Sequence, residues 1–203
     1  MQTDIRPRIM PMEPPYSAEI AAELARWQGN VSTPIALFRT LVRHLPLARA
    51  MYPLGFYFLG RGIPLEIRHR EIVIDRVCAR CGCEYEWGVH ARIFARAAGF
   101  NLCQLAATAS SDANASCWSE SDRLLIRMVD ELHDSGRITD LLWAAMAQRW
   151  SEEQIMNLVV LAGWYHAISF VANAARVPLE EFAMRFPENA VSIATQTEVC
   201  VLT

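Results

Sequence analysis

Residues 68–100 read RHREIVIDRVCARCGCEYEWGVHARIFARAAGF, and their spacing predicts two helices joined by a tight turn. On the first helix Ile67, Glu71, Ile74 and Cys78 fall on one stripe, because side chains three and four apart share a helix face. A carboxylate is thereby set among apolar neighbours. Gly82 offers the left-handed residue that ends such a helix, and a second helix is expected from about Cys83 to Gly99. On it Cys83, Glu86 and His90 share one face, which Phe94 and Ala97 continue as an apolar stripe. The first two turns put a thiol, a carboxylate and an imidazole where a plain core helix would carry apolar side chains.

The rest of the chain reads as helical too. Of ten prolines, four precede residue 16, the next are Pro34, Pro46, Pro53 and Pro64, and none follows until Pro178. A long stretch without proline favours helices. Ile155, Leu158, Val159, Ala162, His166 and Phe170 repeat at helical spacing. Ser119 with Asp122 and Ser151 with Gln154 read as helix starts, and Gly136 as a stop. A short helix is expected between Thr139 and Trp150. The small, polar stretch Ala106 to Ser116 reads as a loop. The fold class is all-α, with an N-terminal arm over 1–16, one helical domain over 17–186 and a tail over 187–203. No convincing strand alternation is present.

Composition narrows the function. The chain has 203 residues, 53% of them hydrophobic and 20% charged, with a net charge of -3. That is a globular composition with no basic footprint for nucleic acid or anionic membranes. All 19 basic residues are Arg. Schiff-base chemistry and the usual P-loop are excluded, since both need Lys. The start, MQTDIRPRIMPMEPPY, lacks the apolar segment of a secretory signal, and no uninterrupted apolar run of membrane-spanning length is seen. Six Cys, three of them at 78, 81 and 83, suit thiols in a reducing compartment. The expected location is cytoplasmic.

Glu86 and His90 stand at i, i+4, and Glu71 can approach from the preceding helix across the turn. Two carboxyls and an imidazole in a partly apolar cleft titrate apart, which suits acid–base work; a surface Glu–His pair beside a structural Cys satisfies the same spacing. Cys78 and Cys81 have C-x-x-C spacing, but Cys78 is expected to face the core. Cys78, Cys81, Cys83 and His90 do not have the regular spacing of a zinc quartet, so no metal is expected. Arg76 suits a carboxylate, although a salt bridge to Asp75 or Glu84 competes. His166 reads as a hydrogen-bonded core residue or a site residue, His133 as a helix-end partner. Tyr52, Phe56, Tyr57 and Phe58, with nearby glycines, read as a bendable core or interface segment.

The stretch resembles the carboxymuconolactone decarboxylase and alkylhydroperoxidase D superfamily. Its peroxidase members carry Glu, eleven residues, Cys, two residues, Cys, three residues, His. Glu71, Cys83 and His90 fit, and Glu86 stands in place of the second Cys. The resemblance implies an antiparallel helical bundle that assembles as a homo-oligomer, a trimer or hexamer or else a dimer. It also implies a small-molecule substrate and no cofactor. A dithiol peroxidase needs a second thiol to resolve a sulfenic acid, and Glu86 cannot do this. The first expectation is therefore an enzyme resembling the decarboxylase, acting on an organic acid or lactone by proton transfer. His90, Glu86, Glu71 and Cys83 are its catalytic candidates, and Arg76, Tyr85, Trp87 and His166 its substrate-binding candidates. The alternatives are a peroxidase-like antioxidant protein using Cys83 alone and a non-catalytic oligomer that binds a ligand.

Overall fold

Capping signals written in the sequence delimit the helices of the computed structural model, which describes residues 6–28, 33–60, 62–110 and 115–187. No strand occurs among the described residues. The chain divides into two compact units, one of residues 1–63 with 171–181 and the other of 64–170 with 182–203.

The first unit contains α1 (Ala18–Gln28), α2 (Ala36–Leu41), a short 3-10 turn and α3 (Leu45–Leu59). Trp27 packs tilted against Phe38 and edge-on against Tyr52, and donates its indole N–H to Glu23. Residues of the expected arm are tied down here: the backbone N–H groups of Arg8 and Ile9 donate to Ala175, and that of Met12 to Arg39. The aromatic segment is not a bendable connection. It forms most of α3, with Pro53 inside the helix and Leu47, Leu54, Phe56, Tyr57 and Leu59 exposed.

The second unit is built on α4 (Ile67–Arg80), which packs chiefly on α5 (Glu84–Phe94) and α7 (Glu120–Ser135). It also contains α6 (Leu102–Thr108), α8 (Asp140–Ala147) and most of α9 (Glu152–Ala175). Helix α4 is buried without a break from Arg70 to Cys78. This is why one stripe under-describes it. Gly82 adopts φ +59, as the turn requires. The second site helix ends earlier than expected, at Phe94, and loosens into turns closed by Gly99 at φ +68.

Ser119 and Asp122 form a reciprocal capping box, and Gly136 ends α7 at φ +68. Ser151 and Gln154 cap α9 in the same way, at 3.2 and 3.0 Å. The stretch expected to be a loop from Ala106 begins instead inside α6, whose capping box is Asn101 with Gln104. Residues 111–114 and the tail beyond 187 lie outside the described residues.

Helix α9 keeps the expected period but not the expected phase. Its buried stripe is Ile155, Leu158, Leu161, Ala162, Tyr165, Ile168 and Ser169, whereas Phe170 is 60% exposed. By length and composition this helix could cross a membrane, a test that core helices also pass, and 44% of its apolar window is buried inside the fold.

Candidate functional site

Glu71, Glu86 and His90 converge in the second unit, all below a tenth exposed. His90 Nδ1 lies 2.8 Å from Glu71 Oε2, and the other Glu71 oxygen accepts from Arg70 Nε at 2.6 Å. A carboxylate held by a guanidinium is an acceptor only, so His90 carries its proton on Nδ1 and turns Nε2 to the other side. There the Tyr165 hydroxyl stands at 3.1 Å and Glu86 Oε1 at 3.6 Å. The tighter partner is thus Glu71, across the turn, and not Glu86 in the same helix. The order is Arg70, Glu71, His90, then Glu86 and Tyr165: one carboxylate fixes the imidazole, and its far nitrogen faces groups with which a proton can be exchanged.

Burial sets the protonation of the surroundings. It raises the Glu86 carboxyl above its usual range, with Glu71 adding to the rise and His90 opposing it. Glu86 Oε2 has no hydrogen-bond partner, so a proton there meets little competition. Burial, then Glu86 and Glu71, push the Tyr165 phenol well above its usual value, which keeps it a donor. Asp75, one turn beyond Glu71, is raised well above the carboxylate range by burial and then by Glu71.

Cys83 is the N-cap residue of α5, yet the helix end does not activate it. Burial, and then Glu86, push its thiol up to about 12. Burial also raises Cys78 well above an ordinary thiol, and the Ser169 hydroxyl lies 3.8 Å from its sulfur. Cys78 faces the core as expected, whereas Cys81 is only partly buried.

The substrate-binding candidates are scattered. Arg76 is engaged by both Asp130 oxygens at 2.8 Å and by the carbonyls of Thr108 and Ser110. It therefore holds α4 to α7 and the end of α6 and is not free for a substrate carboxylate. Its partner is neither Asp75 nor Glu84; Glu84 instead accepts from the Phe186 backbone N–H at 2.9 Å. Trp87 donates to Thr108 at 2.9 Å and packs on Phe186. Tyr85 is buried in α5. His166 is bonded to His133 at 2.9 Å, and its neighbour Tyr165 reaches His90. Sequence reasoning missed Tyr165, Arg70 and Asp75. The buried phase of α9 would have found the first, and nothing in the run Arg68, His69, Arg70 signals the second.

A surface cleft of about 310 Å³ lies elsewhere, lined by Arg123, Arg127 and Arg149 with Glu120. It contains none of the converging residues.

No family model and no curated relative matches the chain. Solved structures similar to it include the following two. One is an uncharacterized peroxidase-related protein from Silicibacter sp. TM1040, 14% identical, with a TM-score of 0.76, covering 92% of this chain and 100% of that one. The other, from Ralstonia eutropha JMP134, is described as an alkylhydroperoxidase AhpD core and an uncharacterized peroxidase-related protein. It is 14% identical, with a TM-score of 0.65, covering 85% of this chain and 93% of that one. The all-helical architecture and these likenesses together give the chain the alkylhydroperoxidase D-like fold.

Proposed function

We propose that the protein is an acid–base enzyme of the carboxymuconolactone decarboxylase type, acting on a small organic acid or lactone. The observation that carries this reading is His90 held at Nδ1 by Glu71 while its Nε2 faces Glu86 and Tyr165. A positioned imidazole beside a carboxyl of raised pKa can take a proton from one atom and return it to another. Loss of carbon dioxide needs an electron sink, and a carbonyl conjugated to the leaving carboxylate supplies one within the substrate. His90 is the general base or acid, Glu86 its proton partner and Glu71 the residue that orients it.

A second reading, a thiol peroxidase, is favoured by the names of the two similar structures. Against it stand the buried Cys83, its raised thiol and Glu86 at the place of a resolving thiol. The test is to assay wild type, Glu86→Gln and Cys83→Ser with a carboxylated unsaturated lactone and with an organic hydroperoxide. Acid–base chemistry predicts that Glu86→Gln slows lactone turnover by about a hundredfold and that Cys83→Ser has little effect. Hydroperoxide consumption that vanishes in Cys83→Ser would establish the second reading. Activity on neither substrate would favour a ligand-binding role.

We further propose a cytoplasmic homo-oligomer. The thiols of Cys78, Cys81, Cys83, Cys103 and Cys117, none in a disulfide, support a reducing compartment. The exposed apolar side chains of α3 support assembly.

A further inference from the structure

Cys81 at the end of α4, His133 in the last turn of α7 and His166 in α9 each offer one ligating atom, and these atoms lie within 4.8 Å of one another. The residues are separated by 52 and 33 positions, so no sequence motif announces them; the fold alone brings them together. All three are partly buried, so each side chain is partly open to solvent.

The hydrogen bonding prepares one imidazole as a ligand. His166 Nδ1 is 2.8 Å from the Ala162 carbonyl, and a carbonyl only accepts. Nδ1 therefore carries the proton and Nε2 presents its lone pair, the orientation that metal-bound histidines take when a backbone carbonyl holds the other nitrogen. That lone pair now receives the His133 Nδ1 proton at 2.9 Å. Two nitrogens on one tetrahedral ion stand about 3.3 Å apart and a nitrogen and a sulfur about 3.5 Å. The His–His contact must open by a few tenths of an ångström, and the sulfur must close by about 1.3 Å at most. Side-chain rotation covers both. Arg80, which lies beside His133, is paired with Asp130 at 3.6 Å and with Asp134, so its charge is largely offset.

We propose that Cys81, His133 and His166 form a site for a borderline-soft divalent ion, zinc above all, with one thiolate, two imidazoles and a water in the fourth position. One thiolate with two imidazoles suits zinc, while oxygen-seeking ions such as magnesium and calcium have no carboxylate in the set. On binding, the Cys81 sulfur forms a bond to the ion and releases its proton to solvent. His133 stays neutral, moving its proton from Nδ1 to Nε2. The site is separate from His90 and does not depend on the function proposed for it.

Cobalt substitution tests the site, because cobalt in zinc's place reports ligand type and geometry. Tag-free, metal-stripped wild type is titrated with Co²⁺ and then with Zn²⁺. The expected result is one equivalent bound, with intense four-coordinate visible bands and a thiolate-to-cobalt charge-transfer band that Zn²⁺ displaces. Cys81→Ser should abolish the charge-transfer band, and His166→Gln and His133→Gln should each weaken binding at least tenfold. Cys83→Ser and Cys78→Ser should leave the spectrum unchanged. Circular dichroism confirms that each variant is folded, and His133→Asn replaces any that is not. Absence of saturable binding in wild type, or a thiolate band that survives in Cys81→Ser, overturns the proposal.

Discussion

Whether Cys83 can act as a nucleophile is a question of thiolate population, and the site gives that a magnitude. Its thiol stands at about 12 against an ordinary 9.0, burial being the larger cause and Glu86 the next. At pH 8 roughly one molecule in ten thousand carries the thiolate, against about one in ten for an ordinary thiol, a ratio of about a thousand. A more basic thiolate attacks faster, and three units at a Brønsted slope near 0.45 return about twentyfold. The net expectation is about fiftyfold slower reaction than an exposed thiol, before the burial of the sulfur itself is counted. The assay is native-state alkylation and peroxide oxidation, read residue by residue by mass spectrometry, with the exposed Cys103 as internal comparison. Glu86→Gln removes the second cause but not burial, so Cys83 should quicken several-fold and still lag well behind Cys103. If Cys83 in wild type is alkylated or oxidised as fast as Cys103 at pH 8, the burial argument fails and the thiol reading regains its footing.

Asp75 retains its proton in the fold well above 3.8, so its contribution to stability is fully present below that value and is lost as pH rises through the folded one. Asp75→Asn should therefore raise the melting temperature more at pH 8 than at pH 5, and an equal gain at both would contradict the assignment. A methyl added at Gly88 would meet the Met184 carbonyl oxygen at 2.2 Å, and Met184 N–H donates to the Gly88 carbonyl at 3.1 Å. Gly88→Ala should cost about 1–3 kcal/mol in a denaturant melt or detach the segment around Met184, seen as faster amide exchange there; neither effect would mean that the close approach is absent. Light scattering at micromolar concentration should give a multiple of 22.9 kDa, and a stable monomer would refute the assembly proposed from the exposed side chains of α3.

The parts of the fold legible in the sequence are those written by local rules. Ser119–Asp122, Gly136, Ser151–Gln154 and Gly82 mark their turns and caps because each satisfies backbone groups within a few residues. The approach of Glu71 to Glu86 and His90 was legible for the same reason, since a tight turn holds both helices close in sequence. What local rules do not encode was missed. Proline is disfavoured inside a helix, yet α3 continues past Pro53. In α9, Phe170 is the more apolar side chain, but Tyr165 and Ser169 are the buried ones, because polar partners on α4 and α5 favour them there. The Cys81, His133 and His166 cluster joins three helices and has no local signature.

The interior of the second unit also separates structural charge from functional charge. Arg76 is balanced by Asp130 and Arg70 by Glu71, each at 2.8 Å or less, so these pairs are internally neutral. Two carboxyls are left over, Asp75 and Glu86, and each has an oxygen with no hydrogen-bond partner. An interior selected for stability alone does better with apolar residues in such places. Of the two, it is Glu86 that faces the imidazole, at 3.6 Å. Amide replacements distinguish them: Asp75→Asn and Glu86→Gln should both relieve a buried carboxyl at high pH, but only Glu86→Gln should also reduce turnover. Stability gained together with activity lost at Glu86, and stability gained alone at Asp75, is the pattern expected when one acid is retained for proton transfer and the other is not.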